Sequence, residues 1–312
     1  MRVFLTGATG FIASALIPEL LSHGHQVLGL ARSDDGARAL EALGADVLHG
    51  DLENLDALRR GAEQADGVVH CGFIHDFTKF VQNCEIDRRA IEAFGDVLAG
   101  STCPLVVTAG IPGLAGRVTT EADAVPTDHP MPRVSEQATL ALAERGVHAS
   151  VVRLPQVHDR DKAGLVTYLI AVAKEKRISA YVADGRNRWS AVHRLDTSPL
   201  YRLALEKGAV GARYHAVAQE GVPLKDIAEA IGRGLGVPAV SMSQPEAMAH
   251  FGPIGFFSTM SNPATNALTR EALGWAPGAH PGLIEDVENS TACAAWKQPQ
   301  VSLCAERSGV AG

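Results

Sequence analysis

The 312-residue chain has no apolar run near the roughly 18 residues that a membrane-crossing helix needs. It has no cluster of one charge either. Lys and Arg total 28 against 35 Asp and Glu, the formal net charge is -7, and no basic stripe or Lys/Arg run stands out. That excludes the usual electrostatic footprint of a nucleic-acid or anionic-membrane binder. Cysteine is sparse: five residues, at 71, 84, 103, 293 and 304, an odd number with no Cys-x-x-Cys pair. Reduced thiols are the expectation, and no zinc site follows, because His70, His75 and Cys84 lack ligand spacing. The start, Met1-Arg2 followed at once by Val3-Phe4-Leu5, has no long apolar stretch behind a charged region. A secretory leader is therefore not expected, and the protein is expected to be soluble and cytoplasmic. Hydrophobic residues at 46% and charged residues at 20% are ordinary globular usage.

Within that frame, short apolar runs alternate with helical patterns through the first half. Val3–Leu5, Gln26–Leu30, Asp46–His49, Gly67–His70, Leu105–Thr108 and Ala149–Arg153 read as strands. Between them Phe11–Ser22, Gly36–Leu43, Leu55–Ala62, Arg88–Ala99 and Val134–Arg145 read as helices. Such alternation predicts an α/β fold: a Rossmann-type, doubly wound parallel sheet with helices on both faces. The second half is less regular. Leu165–Glu175, Thr197–Lys207 and Leu224–Leu235 read as helices and Tyr214–Val217 as a strand, which predicts a smaller α+β substrate-binding region. The expected division is residues 1–155 for the dinucleotide-binding part, with later segments returning to it, 156–290 for the substrate part, and 291–312 as a tail. No pattern is visible from Val301 onward.

The strongest local signal is Thr6-Gly7-Ala8-Thr9-Gly10-Phe11-Ile12-Ala13, placed between the first strand and the first helix. Gly7 suits a tight turn, and Gly10 lets the backbone approach a pyrophosphate. The helix N-terminus then offers free N–H groups and partial positive charge to phosphates. The competing reading is a simple βα turn whose glycines serve geometry alone, and the strand before it, the helix after it and the second strand beyond weigh for the cofactor motif. Strand two ends in Leu30-Ala31-Arg32-Ser33. An acid is usual there in sites that hold an unmodified ribose. Ala31 stands in its place, and Arg32 and Ser33 suit a 2′-phosphate, so NADP(H) is expected over NAD(H). A solvated loop arginine is the alternative, and Asp34 and Asp35 follow directly.

These strings resemble the short-chain dehydrogenase/reductase superfamily, in particular its extended and atypical epimerase/dehydratase-like members. Their Gly-x-x-Gly-x-x-Gly pattern ends here in Ala13. The resemblance continues at Gly50-Asp51-Leu52, where it implies that Asp51 meets the adenine. It runs on through Cys71-Gly72 and Pro155 beside the nicotinamide, and through Leu273-Gly274-Trp275-Ala276-Pro277 late in the chain, covering about residues 1–285. The string around Trp189 and His193 is similar to an atypical branch. The cofactor-binding set so implied is Gly7, Thr9, Gly10, Phe11, Ile12, Arg32, Ser33, Asp51, Leu52, Cys71, Gly72, Thr108 and Pro155.

The superfamily's Tyr-x-x-x-Lys pair is missing. Four residues after Tyr168, Tyr181, Tyr201 and Tyr214 come Val172, Gly185, Leu205 and Ala218. Alignment puts Arg133 at the tyrosine position and Gln137 at the lysine position. Thr108 remains as a hydroxyl at the end of strand five. His193, which can exchange a proton near neutral pH, is the other catalytic candidate; a domain-docking histidine is the equal alternative. Phe73, His75 and Phe77 follow strand four as pocket walls, and Tyr181, Trp189 and His193 complete the expected substrate side. Two functions stay open. One is an NADP(H)-dependent oxidoreductase reducing a small carbonyl compound; the other is a non-catalytic NADP-binding redox sensor or regulatory protein. The missing pair favours the second, and the elaborated second half favours the first. A homodimer is compatible with either.

Overall fold

A computed structural model describes residues 1–114, 116–126 and 132–297. Its centre is a seven-stranded sheet whose inner strands are short, apolar and covered on both faces, as all-parallel sheets require. They are β1 (Arg2–Thr6), β2 (Gln26–Ala31), β3 (Asp46–His49), β4 (Gly67–His70), β5 (Leu105–Gly110), β6 (Ala149–Leu154) and, much later in the chain, a strand at Arg213–His215. The spatial order is β3-β2-β1-β4-β5-β6 and then Arg213–His215, with every pairing parallel. The order reverses between β1 and β4, so a crevice opens beyond the carboxyl ends of those two strands.

On one face lie α1 (Ala13–Ser22) and α2 (Asp34–Ala42), packed on Val3, Leu5, Val69 and Val106. On the other lie α3 (Leu55–Glu63), α4 (Phe80–Leu98) and α5 (Ser135–Glu144), around Phe4, Leu58, Ile91, Phe94 and Leu142. Helix α4 starts two turns before the expected Arg88. Its buried face carries Asn83 and Asp87 among the apolar residues, which breaks the hydrophobic period at the N-terminal end.

The chain leaves β6 through Pro155 into β7 (Gln156–His158) and α6 (Val166–Lys176), then β8 (Ser179–Val182) and β9 (Arg188–His193). Helix α7 (Arg194–Lys207) comes back under the main sheet, where Leu200, Tyr201 and Leu205 join the core beside α1. It starts three residues before the expected Thr197, with His193 as its N-cap. After β10 (Arg213–His215), the strand that closes the main sheet, come β11 (Gln219–Pro223), α8 (Leu224–Leu235) and β12 (Ala239–Met242). Strands β11, β9 and β7 make a second sheet, β12 pairs with β8, and α6 and α8 cover a separate core around Leu169, Ile227, Ile231 and Leu283. Strands of three to six residues in mixed polar sequence left β7, β8, β9, β11 and β12 without a period to read. Among the described residues no helix is long and apolar enough to cross a membrane. The patternless stretch from Val301 lies outside the described residues.

Candidate functional site

The crevice at the β1/β4 reversal is a cleft of about 800 Å³ that runs from Arg32 past the glycine turn to Trp189 and Phe257. Its floor is the turn between β1 and α1. Gly7 has φ +65°, and a Cβ there would sit 2.8 Å from the Gly72 backbone. The turn thus rests directly on the chain leaving β4. A Cβ at Gly10 would lie 2.8 Å from the Gly7 carbonyl oxygen, which accepts the Gly10 N–H at 2.7 Å. No side chain caps α1 at Ile12, and Gly10, Phe11, Ile12 and Ala13 line the cleft. The bare helix end and the glycine cradle fit a dinucleotide's phosphates.

At one end, Ala31 is buried, Arg32 lines the wall and Asp35 pairs with Arg38. Ser33 is not on the wall. Its Oγ accepts the Gly36 N–H at 3.2 Å and caps α2, and the hydroxyl proton stays available for the expected 2′-phosphate. Asp51 lines the cleft with Oδ1 committed to the Glu53 and Asn54 N–H groups, both at 2.9 Å.

At the inner end a polar chain links seven residues. The Gly72 N–H donates to Thr6 Oγ1, which lies 2.6 Å from His70 Nδ1. His70 Nε2 faces Asp87 Oδ1 at 3.3 Å, and Ser135 Oγ donates to Asp87 Oδ2. Arg133 closes the chain, donating from Nε to Ser135 Oγ at 2.7 Å and from Nη2 to the Thr108 carbonyl at 3.1 Å. A carboxylate accepts only, so His70 donates through Nε2 and receives the Thr6 hydroxyl at Nδ1. Asp87 is 1% exposed. Burial alone pushes its carboxyl up, but His70, Arg133 and Ser135 together hold it below the usual range. Arg133 lies 4.1 Å over the Phe73 ring, a cation–π contact that fixes its plane.

Thr108 lines the cleft with its hydroxyl 2.7 Å from Tyr201 Oη and 3.5 Å from Cys71 Sγ. Burial raises the Cys71 thiol to about 11 and lifts the Tyr201 phenol well above its ordinary value. Neither ionises at neutral pH.

Beyond Arg133 the wall turns aromatic. Phe77 packs against Tyr168 at 5.3 Å, Phe257 at 5.6 Å and Phe80 at 5.7 Å between centroids. Phe73 and His75 also line this end, as does Trp189, whose indole N–H donates to the Met260 carbonyl at 3.2 Å. Burial first, then Arg133 and Lys162, lower the His75 pKa, so its ring is neutral.

Two expected residues stand elsewhere. Tyr181 packs against the second core beside Gly185 and Lys225. His193 caps α7 through Nδ1, stacks on His280 at 4.5 Å and lies 3.9 Å from Asp286. Neither lines the cleft. Phe80, Tyr168, Phe257 and Tyr201 come from α4, α6, a short helix near the chain's end and α7. Only the tertiary fold brings them together, and sequence spacing carries no sign of it.

Comparison with known proteins agrees with this geometry. The family model described as NAD dependent epimerase/dehydratase family matches residues 3–217. An uncharacterized protein of Schizosaccharomyces pombe is 46% identical over 291 residues, 92% of this chain and 98% of that one. The 4-hydroxy-2-methyl-3-oxo-4-farnesyl-3,4-dihydroquinoline-1-oxide ketoreductase of Stigmatella aurantiaca is 26% identical, covering 81% of this chain and 80% of its own. Among solved structures, the dTDP-glucose 4,6-dehydratase DesIV of Streptomyces venezuelae, with NAD and TYD bound, superposes with TM-score 0.72 at 17% identity. It covers 92% of this chain and 96% of its own.

Proposed function

The chain belongs to the NAD dependent epimerase/dehydratase family, and from that premise we propose that it is an NADP(H)-dependent oxidoreductase that reduces the carbonyl of a small compound. The observation that carries this reading is the continuity of one cleft from Arg32, past the glycine cradle, to Arg133 and the aromatic wall. A protein that only binds cofactor has no use for that second compartment. A relative named a ketoreductase supports the same reaction class.

When bound, the nicotinamide supplies the hydride to the carbonyl carbon. The chain's own residues do the positioning. Gly7, Gly10 and the open end of α1 hold the phosphates. Arg32 faces the 2′-phosphate, with no acid at Ala31 to repel it. Arg133 offers its guanidinium to the carbonyl oxygen as negative charge grows there. A guanidinium stays protonated, so it stabilises the oxyanion without giving up a proton. The proton then comes from water: one carbonyl, one NADPH and one proton become one alcohol and one NADP⁺. The hydroxyl of Tyr201 takes no part, being bonded to Thr108.

The regulatory alternative has one observation in its favour, Arg133 and Gln137 on the cleft wall where a Tyr–Lys pair is usual. NADPH oxidation with a panel of activated ketones and aldehydes separates the two. Fluorescence titration of the parent and Arg32→Ala with NADPH and NADH tests the cofactor. The expected loss in Arg32→Ala is about 10- to 100-fold for NADPH and little for NADH. Tighter NADH binding by the parent, or no turnover with any carbonyl, sinks the corresponding half.

A further inference from the structure

The residue that replaces the usual phenol is a cation held at a fixed angle, and its surroundings say what it is for. Arg133 is gripped on three sides: the Phe73 ring, the Ser135 hydroxyl on Nε and the Thr108 carbonyl on Nη2. Nη1 has no acceptor among the described residues, and the side chain lines the cleft. The second cation of this compartment, Lys162, has no carboxylate within ion-pair distance among the described residues; its Nζ lies 5.8 Å over the Phe11 ring.

The carboxylates nearby are committed. Asp76 accepts both the N–H and the hydroxyl of Thr78. Glu136 accepts from Arg153 and from Arg213. Asp87 stands behind Arg133 at 3.9 Å. His75, which feels both cations, is neutral. Arg133 and Lys162 are thus the cations of this compartment, and beyond Arg133 its wall is the aromatic group of Phe77, Phe80, Tyr168 and Phe257.

We infer that the substrate is an apolar oxo acid: its carboxylate seats on Arg133 beside the reacting carbonyl, and its hydrocarbon or aryl body lies along Phe77 and Phe257. A planar guanidinium with its fork already oriented suits a carboxylate better than a neutral oxygen, and a charge-assisted bond is about twice as strong as a neutral one. This rests on the oxidoreductase reading for the meaning of the carbonyl, but the carboxylate seat is testable without turnover.

The experiment is calorimetric titration of the NADP⁺-loaded protein with 4-phenyl-2-oxobutanoate and with its neutral amide. The acid is expected to bind about 10- to 100-fold more tightly. Folded Arg133→Met should lose that difference, weakening the acid more than the amide. Phe77→Ala should weaken both ligands alike. Equal affinity of acid and amide in the parent overturns the inference with no variant needed, as does absence of binding by both. Preference for the acid that survives in folded Arg133→Met also overturns it. Acid-selective binding without NADPH-dependent reduction of any oxo acid leaves the carboxylate seat standing and overturns the oxo acid as substrate together with the enzymatic reading; reduction of neutral ketones without acid selectivity overturns the seat and keeps the enzymatic reading.

Discussion

Tyr201 on α7 and Thr108 at the end of β5 share a buried hydrogen bond of 2.7 Å between their hydroxyls, where Thr108 borders the cleft. The bond ties the returning helix to a strand that ends at the cleft wall. It also occupies the one tyrosine hydroxyl next to Thr108.

Replacing Tyr201 by Phe removes that bond and little else. Unfolding free energy should fall by about 1–2 kcal/mol, the usual range for a buried neutral hydrogen bond whose partner is left behind. Turnover should change by less than about tenfold, since loss of a true general acid typically costs about 10²- to 10⁴-fold. Urea titration and steady-state rates measure the two effects. A rate loss in the general-acid range with stability intact would make Tyr201 the proton donor after all.

Gly7→Ala should abolish cofactor binding. The residue sits at φ +65°, and the new methyl would stand 2.8 Å from the Gly72 backbone, which cannot swing aside as a side chain can. The β1–α1 turn must move, and the phosphates lose their seat. Dye-displacement or fluorescence titration with NADPH checks this. A variant that binds within about twofold of the parent, well under one factor of ten in affinity, would show that the turn relaxes without cost.

Acid stability should depend on His215. Its Nδ1 donates to the Thr265 carbonyl at 2.8 Å, and Arg153 approaches Nε2 at 3.1 Å, so a second ring proton has no room. Burial first, then Arg153 against the pull of Glu121 and Glu136, lowers the pKa from 6.5 to about 4. The unfolded chain therefore binds the proton more readily. The stabilisation is complete above pH 6.5 and is lost as pH falls from 6.5 toward about 4. It amounts to on the order of 3 kcal/mol. Urea midpoints at about pH 7.5 and about pH 4.5 should differ more in the parent than in His215→Gln. Equal slopes in the two proteins would contradict the assignment.

How far the sequence reads into this molecule differs by region. The glycine turn was legible because its chemistry is local: a strand, two glycines and a helix in eight residues. Helix α8 was legible because Ile227, Ile231 and Leu235 keep a helical period on one face. Helix α4 was legible only from Arg88, since Asn83 and Asp87 are buried polar residues that an apolar pattern passes over. Of the candidate site, the wall formed by Phe73, His75 and Trp189 was named from position after strand four and from an aromatic string. Tyr181 and His193 sit in that same string, yet they turn toward the second core and the start of α7. In a strand, neighbours point to opposite faces, and no local signal says which face meets the cleft. Arg133, aligned with the tyrosine position from sequence, lies on the cleft wall. Its grip by Asp87 and Ser135 depends on how α4 packs beside α5, which the sequence order does not show.

The buried chain from Thr6 through His70, Asp87 and Ser135 to Arg133 has a consequence for anyone wishing to engineer the usual chemistry into this scaffold. Asp87 keeps its charge because a cation, a hydroxyl and an imidazole answer it at once. A tyrosine grafted at 133 would strand that carboxylate in the interior, at a typical cost of about 3–5 kcal/mol for a buried charge deprived of its partner. The graft would need Asp87 neutralised, and then His70 would lose its acceptor and Thr6 its orientation beneath the cofactor turn. Arginine at this position is therefore one member of a set of mutually dependent contacts, and a two-residue transplant of Tyr and Lys should give an unstable protein before it gives an active one.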